Sequence, residues 1–361
     1  MKVAFDHHIF SMQRYGGVSR YFVELATRLP AQGVETSVIA PLHINTYLAA
    51  GFARSVARGR FVNSELSVIP LAVGLTNRLV APLSWRGASP DIIHETFFST
   101  KPFGKGQRRV VTVYDMIHEL FMPEAKFAIA AKRAAVARAD HIICISENTR
   151  QDLLRLHDVD AARTSVVHLG YSLTAGAEAP HIDSDGRRPT LLYVGHRGGY
   201  KNFKTVLHAY GSSPILREFD LIAFGGYPPQ RDEQSEISRL GITDRVRFES
   251  GSDQELAARY RAAAAFVYPS KYEGFGIPPL EAMSYGCPVV CSTAGPIPEV
   301  VGDAGVYFDP NSADELRTAL EHVVTAEELQ ADLRARGYAR IKTFSWDRCA
   351  AETAAIYREM M

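Results

Sequence analysis

Arg197 and Lys201 stand four residues apart in the stretch Val194-Gly195-His196-Arg197-Gly198-Gly199-Tyr200-Lys201-Asn202. A guanidinium, an ammonium and the open backbone of a Gly-rich turn are the groups that hold a diphosphate. With no ligand, the same turn is a solvated basic loop. A second stretch runs Ser270-Lys271-Tyr272-Glu273-Gly274-Phe275-Gly276-Ile277-Pro278-Pro279-Leu280-Glu281. Glu273 sits in a loop otherwise made of Gly, Phe, Ile and Pro. Glu281 follows eight positions later, in the first turn of a helix opened by Pro278-Pro279. Glu281 alone would complement a helix dipole. Two carboxylates here can accept hydrogen bonds from sugar or ribose hydroxyls. An acid–base pair of the glycosidase kind depends on a carboxyl separation that no sequence contains.

Two weaker junctions lie earlier in the chain. Arg14-Tyr15-Gly16-Gly17-Val18-Ser19-Arg20 pairs Gly16 and Gly17 at a helix start, where backbone N–H groups approach an anion. There is no GxGxxG, so the dinucleotide fingerprint is missing. Val113-Tyr114-Asp115-Met116-Ile117-His118-Glu119 ends a β-run, which makes Asp115 and His118 candidate catalytic groups; a lone His is more often structural. His7 and His8 also end a strand, with the same reservation.

The elements that must position these residues alternate between apolar β-runs and helical patterns. Lys2–Ile9, Glu35–Ala40, Ile92–His94, Arg109–Val113, His141–Ile145 and Ser165–Val167 read as strands in the first half. Val18–Leu29, Ala128–Arg138 and Asn148–Leu156 read as helices, the last with Ser146 as N-cap. The alternation stops over 172–189 and resumes at Thr190–Val194, Asp220–Phe224, Arg245–Phe248, Ala265–Pro269 and Pro288–Cys291. This pattern predicts an α/β protein with parallel sheets covered on both faces. Its expected parts are a first domain at 1–171, a linker at 172–189, a second domain at 190–345 and a terminal helix at 346–361. A length of 361 residues suits two domains.

The remaining composition narrows the partners. Forty basic and forty acidic residues give a net charge of zero, which argues against nucleic acid as a partner. Residues 1–175 carry 20 Lys+Arg and 14 Asp+Glu, or +6, and the rest carry −6. Such asymmetry points to an anionic partner of the first half. Cys144, Cys287, Cys291 and Cys349 form neither a disulfide framework nor a CxxC zinc pattern, and fit a reducing cytosol. No leader or membrane span is expected. The longest apolar stretch, Ile69 to Trp85, is interrupted by Asn77 and Arg78.

The block Tyr272–Met283, continuing through Gly286-Cys287-Pro288-Val289-Val290, resembles the E-x7-E region of retaining GT-B glycosyltransferases of family 4. Pro298–Gly305, Tyr193-Val194-Gly195 with Lys201-Asn202, Val111–Asp115, Ser146-Glu147-Asn148 and Phe344-Ser345-Trp346 match in the same order. The resemblance spans nearly the whole chain and is most specific over 272–305. It implies two Rossmann-like doubly wound domains facing a central cleft, with the last helix crossing back to the first domain.

The resemblance also implies roles. Arg197 and Lys201 would hold the donor diphosphate, and Glu281 the ribose hydroxyls. Glu273 would take hydroxyls of the transferred sugar, lined by the backbone of Gly274, Phe275, Gly276 and Ile277. Gly16 and Gly17 would approach the phosphates. Catalysis would be retaining, electrostatic and free of metal or other cofactor. One departure is Tyr114-Asp115, where many relatives carry His-Asp; either the Tyr114 hydroxyl or His118 would take that role. The patterns around Gly16 and His118 resemble bacterial mannosyltransferases of surface-polysaccharide assembly, which implies GDP-mannose. A UDP-hexose, another GDP-sugar or a non-catalytic nucleotide-sugar binder are the alternatives, and the base pocket is expected near Phe248–Glu255. Against a phosphorylase-like enzyme, this sequence shows no lysine placed for pyridoxal. The acceptor is expected to be a saccharide or lipid-linked saccharide. Two basic stretches, Tyr47–Phe61 with Arg54, Arg58 and Arg60, and Lys101, Lys105, Arg108 and Arg109, suit either a solvated face or docking of a cytoplasmic protein to an anionic membrane. Such docking gains ~1 kcal/mol per basic residue near the surface.

Overall fold

Val/Ile-rich runs too short for helices pair into two all-parallel sheets in the computed structural model, which describes residues 1–63, 66, 68–171 and 188–361. The first sheet has seven strands: β1 (Lys2–Phe5), β2 (Glu35–His43), β3 (Ala57–Phe61), β4 (Ile92–Glu95), β5 (Arg108–Val113), β6 (His141–Cys144) and β7 (Thr164–Val166). Their order is β3-β2-β1-β4-β5-β6-β7, with Val3 opposite both Thr36 and Ile92. The second has six: β8 (Thr190–Val194), β9 (Asp220–Phe224), β10 (Val246–Glu249), β11 (Ala263–Tyr268), β12 (Val289–Ser292) and β13 (Gly305–Phe308). Their order is β10-β9-β8-β11-β12-β13, with Leu192 opposite both Ile222 and Phe266. Both orders are doubly wound.

The chain divides into two compact units, Met1–Gly170 with Trp346–Met361, and Tyr171–Ser345. Most of the segment read as a linker, 172–187, lies outside the described residues. In the second unit, Leu191, Val206, Leu207, Leu221, Val267, Val290, Leu316 and Leu320 are all fully buried. Each such side chain removed from water is worth ~2 kcal/mol. In the first unit, the terminal helix Trp346–Glu359 packs on helix Gly17–Arg28. Tyr357 Oη lies 2.5 Å from Nδ1 of buried His94, whose Nε2 lies 2.8 Å from Thr112 Oγ1. Arg28 donates to Asp347 at 2.8 Å.

Several elements differ from the sequence expectation. The first strand stops at Phe5, because helix His8–Met12 begins where the run was read as continuing to Ile9. Ile69–Trp85, read only as a broken apolar stretch, is a helix that runs through Asn77. The Asn77 side chain is buried, donating to Ser11 Oγ and Leu42 O and accepting from Leu42 N–H. Strand β3 was not expected; its Arg58 and Arg60 are exposed on an edge strand, a position where charge discourages further pairing. Strand β13 and the helices Arg231–Arg239, Ala313–Thr325 and Glu327–Arg340 were also not anticipated. All four cysteines are buried and unpaired, and burial pushes the Cys144 and Cys349 thiols up to about 12.

Candidate functional site

The order of the second sheet reverses between β8 and β11. Ligands of doubly wound sheets sit beyond the carboxyl ends of strands at such a switch point. The segments leaving it are the two motif-bearing loops. Lys201 Nζ lies 2.8 Å from Oε1 and 3.0 Å from Oε2 of buried Glu273. Asn202 holds this pair in place. It has left-handed backbone, φ 60°, which Asn tolerates better than most side chains. Its amide donates to Pro269 O at 3.0 Å and Pro310 O at 2.7 Å, and Lys271 N–H donates to Tyr200 O at 2.7 Å. The two loops are thus sewn together on both sides of Lys201. Tyr268 hydrogen-bonds Glu273; burial, then the charge of Glu273, pushes its hydroxyl well above the usual range.

Gly276, with φ 115°, is the N-cap of helix Ile277–Ser284, and no side chain caps that helix. A helix start leaves four amide groups unpaired. Pro278 and Pro279 have none, so Gly276 and Ile277 supply the donors there. Gly274 and Phe275 precede them in the same loop. Glu281 lies in the second turn of this helix, not the first, so it does not serve the helix dipole. Tyr260 donates to Glu281 Oε2 at 3.4 Å.

The Arg197 side chain is engaged by protein groups. Its Nε donates to Glu233 Oε1 at 2.9 Å, and Nη1 donates to Gly225 O at 3.0 Å. The other terminal nitrogen donates to Tyr227 O, and the guanidinium stacks over Phe248 at 4.7 Å. The side chain is buried, and a diphosphate would have to draw it from these partners. Phe248 thereby serves as the floor beneath Arg197, and Glu255 is engaged in a capping box with Ser252. Arg197 and Lys201 both line a cavity of about 980 Å³. Glu233 was missed in the sequence. Its local signal, a capping box with Gln230, marks a helix start and says nothing of Arg197.

The first sheet reverses between β1 and β4. There, buried Asp6 accepts from Thr96 Oγ1 at 2.6 Å and His8 N–H at 2.8 Å. A cavity of about 1130 Å³ opens beside it, lined by His8, Phe97, Phe98, Phe103 and His118 among others. His118, in the short helix Ile117–Phe121, is half-buried at this cavity. Asp115 accepts from Ile117 N–H at 2.9 Å. Tyr114 is buried. Its ring lies among Tyr21, Phe22 and Phe98, and its hydroxyl is buried without a partner. Gly16 caps helix Gly17–Arg28 without a side-chain bond, and a methyl added at Gly17 would meet nothing within 4 Å.

Lys132, Glu119 and His157 form a largely buried polar cluster. Lys132 donates to Glu119 Oε2 at 2.7 Å, and His157 Nε2 faces Oε1 at 3.4 Å. Burial pushes Glu119 up, but His157 and Lys132 together outweigh it and hold its carboxyl at about 2. Arg109 is not a free surface cation. Buried Glu95 receives it at 2.7 Å and Arg138 on the other side. Among the described residues, no cluster of three or more His, Cys, Asp or Glu is placed to hold a metal, and no helix is long and apolar enough to cross a membrane.

Comparison with known proteins bears directly on these two units. The family model described as Glycosyltransferase Family 4 matches residues 15–175, and that described as Glycosyl transferases group 1 matches 177–340. The chain is 31% identical over 267 residues to O-antigen chain mannosyltransferase B of Escherichia coli, covering 69% of this chain and 70% of that protein. The chain belongs to the family 4 glycosyltransferases. The fold of this glycosyltransferase is GT-B. Sucrose-phosphate synthase from Thermosynechococcus elongatus superposes with a TM-score of 0.72 at 20% identity, over 100% of this chain and 99% of that one. Anabaena HepE, solved in complex with UDP and glucose, superposes with a TM-score of 0.71 at 17% identity, over 99% and 100%.

Proposed function

We propose that the chain is a retaining hexosyltransferase that moves mannose from GDP-mannose onto a saccharide or lipid-linked saccharide of surface-polysaccharide assembly. The observation that carries the reading is the Lys201–Glu273 pair at the switch point of the second sheet. On donor binding, the Lys201 ammonium turns to the diphosphate and Glu273 accepts from hydroxyls of the sugar. Gly276 and Ile277 N–H groups add donors where charge builds on the leaving diphosphate. The bond from the anomeric carbon to the diphosphate oxygen breaks, and the acceptor oxygen bonds the same face of that carbon. The acceptor's proton leaves on the diphosphate. Glu281 takes the ribose hydroxyls. No metal is assigned a role. The acceptor belongs to the first unit, in the cavity beside His8 and His118.

Mannose is favoured by the O-antigen chain mannosyltransferase among the relatives. The second reading is a UDP-hexose donor, favoured by the UDP and glucose held by Anabaena HepE. A panel of GDP- and UDP-sugars, scored by thermal shift and by acceptor-free hydrolysis, separates them. GDP-mannose is expected to give the largest shift and measurable hydrolysis. A larger response to a UDP-hexose would replace the first reading with the second. No response to any sugar nucleotide would sink both.

A further inference from the structure

A helix that packs on a sheet ordinarily turns its apolar stripe inward. Helix Ile69–Trp85 keeps a full apolar stripe outside. Leu71, Leu75, Leu79 and Leu83, spaced by four, are 69%, 52%, 80% and 58% exposed. Its inward face is Val73, Asn77, Ala81 and Trp85, with Asn77 pinned to β2 through Leu42. That anchoring fixes the helix rotation, so the leucines cannot turn in. Over the 17 residues of the helix there is no carboxylate, and Arg78 is its one charged residue. A contiguous exposed patch of this kind marks an interaction surface.

The flank of the stripe is cationic. Arg78 from the helix, Arg86 just past its end, and Lys101 and Lys105 from the facing loop line the 1130 Å³ cavity that opens beside it. Apolar side chains bordered by cations, with no anion among them, match the surface of a bilayer bearing anionic headgroups. A second copy docked by two-fold symmetry on the same face would set these cations against their own likeness.

We propose that helix Ile69–Trp85 docks the protein on an anionic bilayer, with Leu71, Leu75, Leu79 and Leu83 at the acyl-chain boundary and the four flanking cations at headgroup level. A lipid-linked acceptor standing in that bilayer then meets the cavity mouth at the headgroup plane. Only this last step rests on the glycosyl-transfer reading; the docking does not.

The test mixes the full chain with extruded vesicles of phosphatidylglycerol and phosphatidylethanolamine, or of phosphatidylcholine alone, and sediments them. Binding is expected to the anionic vesicles and to be at least ~tenfold weaker to phosphatidylcholine, with added salt weakening it. Leu75→Ser with Leu79→Ser is expected to lower partition at least ~tenfold while leaving vesicle-free donor hydrolysis unchanged. Leu79→Trp keeps an apolar stripe and is expected to gain a blue-shifted emission on anionic vesicles. The proposal is overturned if the unaltered chain does not sediment with anionic vesicles, or if the leucine variant binds as well as it does. A dimer abolished by Leu79→Ser, without vesicle binding, would assign the face to a second copy and overturn it too. Vesicle binding by a chain that hydrolyses no sugar nucleotide would leave the docking standing and remove the transfer reading.

Discussion

The two sheets share one plan, and both reverse at a switch point, yet the groups that meet there differ in kind. In the second unit a cation and a carboxylate from adjacent loops face each other, half-buried Lys201 and buried Glu273. In the first unit the corresponding bridge is Asp6 to Thr96, fully buried and satisfied by local N–H and O–H groups. On the proposed reading, the Lys201–Glu273 bridge exchanges its partner for a ligand; the Asp6–Thr96 bridge has none to release. One architecture thus supplies an ionic site in one unit and a rigid frame around an apolar cavity in the other.

The sharpest way to break this contrast is substitution at the two bridges. Glu273→Gln is expected to lower kcat/KM ~10²–10³-fold, the size of losing one electrostatic contact to the developing charge. Near-normal turnover would remove Glu273 from the site. Asp6→Asn is expected instead to cost ~1–3 kcal/mol of stability, since it leaves buried donors poorly met. Turnover by the folded fraction should hold within about tenfold. Loss of turnover with an unchanged melting curve would show that the Asp6–Thr96 bridge is functional after all.

Acid should also separate the units. Burial holds His94 at about 3, and burial, with the charges of His8 and Arg78, holds His7 at about 4. Burial also lowers His8, His43 and His141. These groups are neutral when folded and bind protons more readily when unfolded. Their contribution is complete above about 6.5 and is lost as pH falls toward about 3. Glu119, held at about 2 against 4.5, adds a loss over that lower window. Glu95, raised by burial, works in the opposite direction. All of these lie in the first unit. Both tryptophans of the chain, Trp85 and Trp346, lie there as well, so their emission reports that unit. The tryptophan-detected midpoint is expected to fall faster from pH 7 to 4 than the ellipticity of the whole chain. Parallel curves would contradict the assignment. The smallest expected effect is Gly17→Ala. With open space at that Cβ, stability should stay within ~0.5 kcal/mol, and a change in donor KM would then report on the ligand alone.

The strand alternation and both loop motifs were legible in the sequence because each is local: Gly, Lys and Glu fall within a dozen residues of one strand end. Lys201 and Glu273 could be named without being paired, since their meeting depends on β8 lying beside β11. The partners of Arg197 were hidden for the same reason. Glu233 and the carbonyls of Gly225 and Tyr227 come from beyond β9. Helix Ile69–Trp85 was harder still. It is apolar on most sides, so periodicity cannot reveal which face turns inward, and a single Asn77 bond network decides it.

The terminal helix Trp346–Glu359 has a consequence in time. His94 and Thr112 are made early, but the Tyr357 hydroxyl that closes their network comes some hundreds of residues later. At a synthesis rate of ~5–20 residues per second, the first unit waits tens of seconds for its last helix. The second unit is continuous in sequence and meets no such delay. On the ribosome, the unit begun first is therefore completed last. The face that Tyr21 and His94 keep for that helix is where a chaperone would have its longest opportunity.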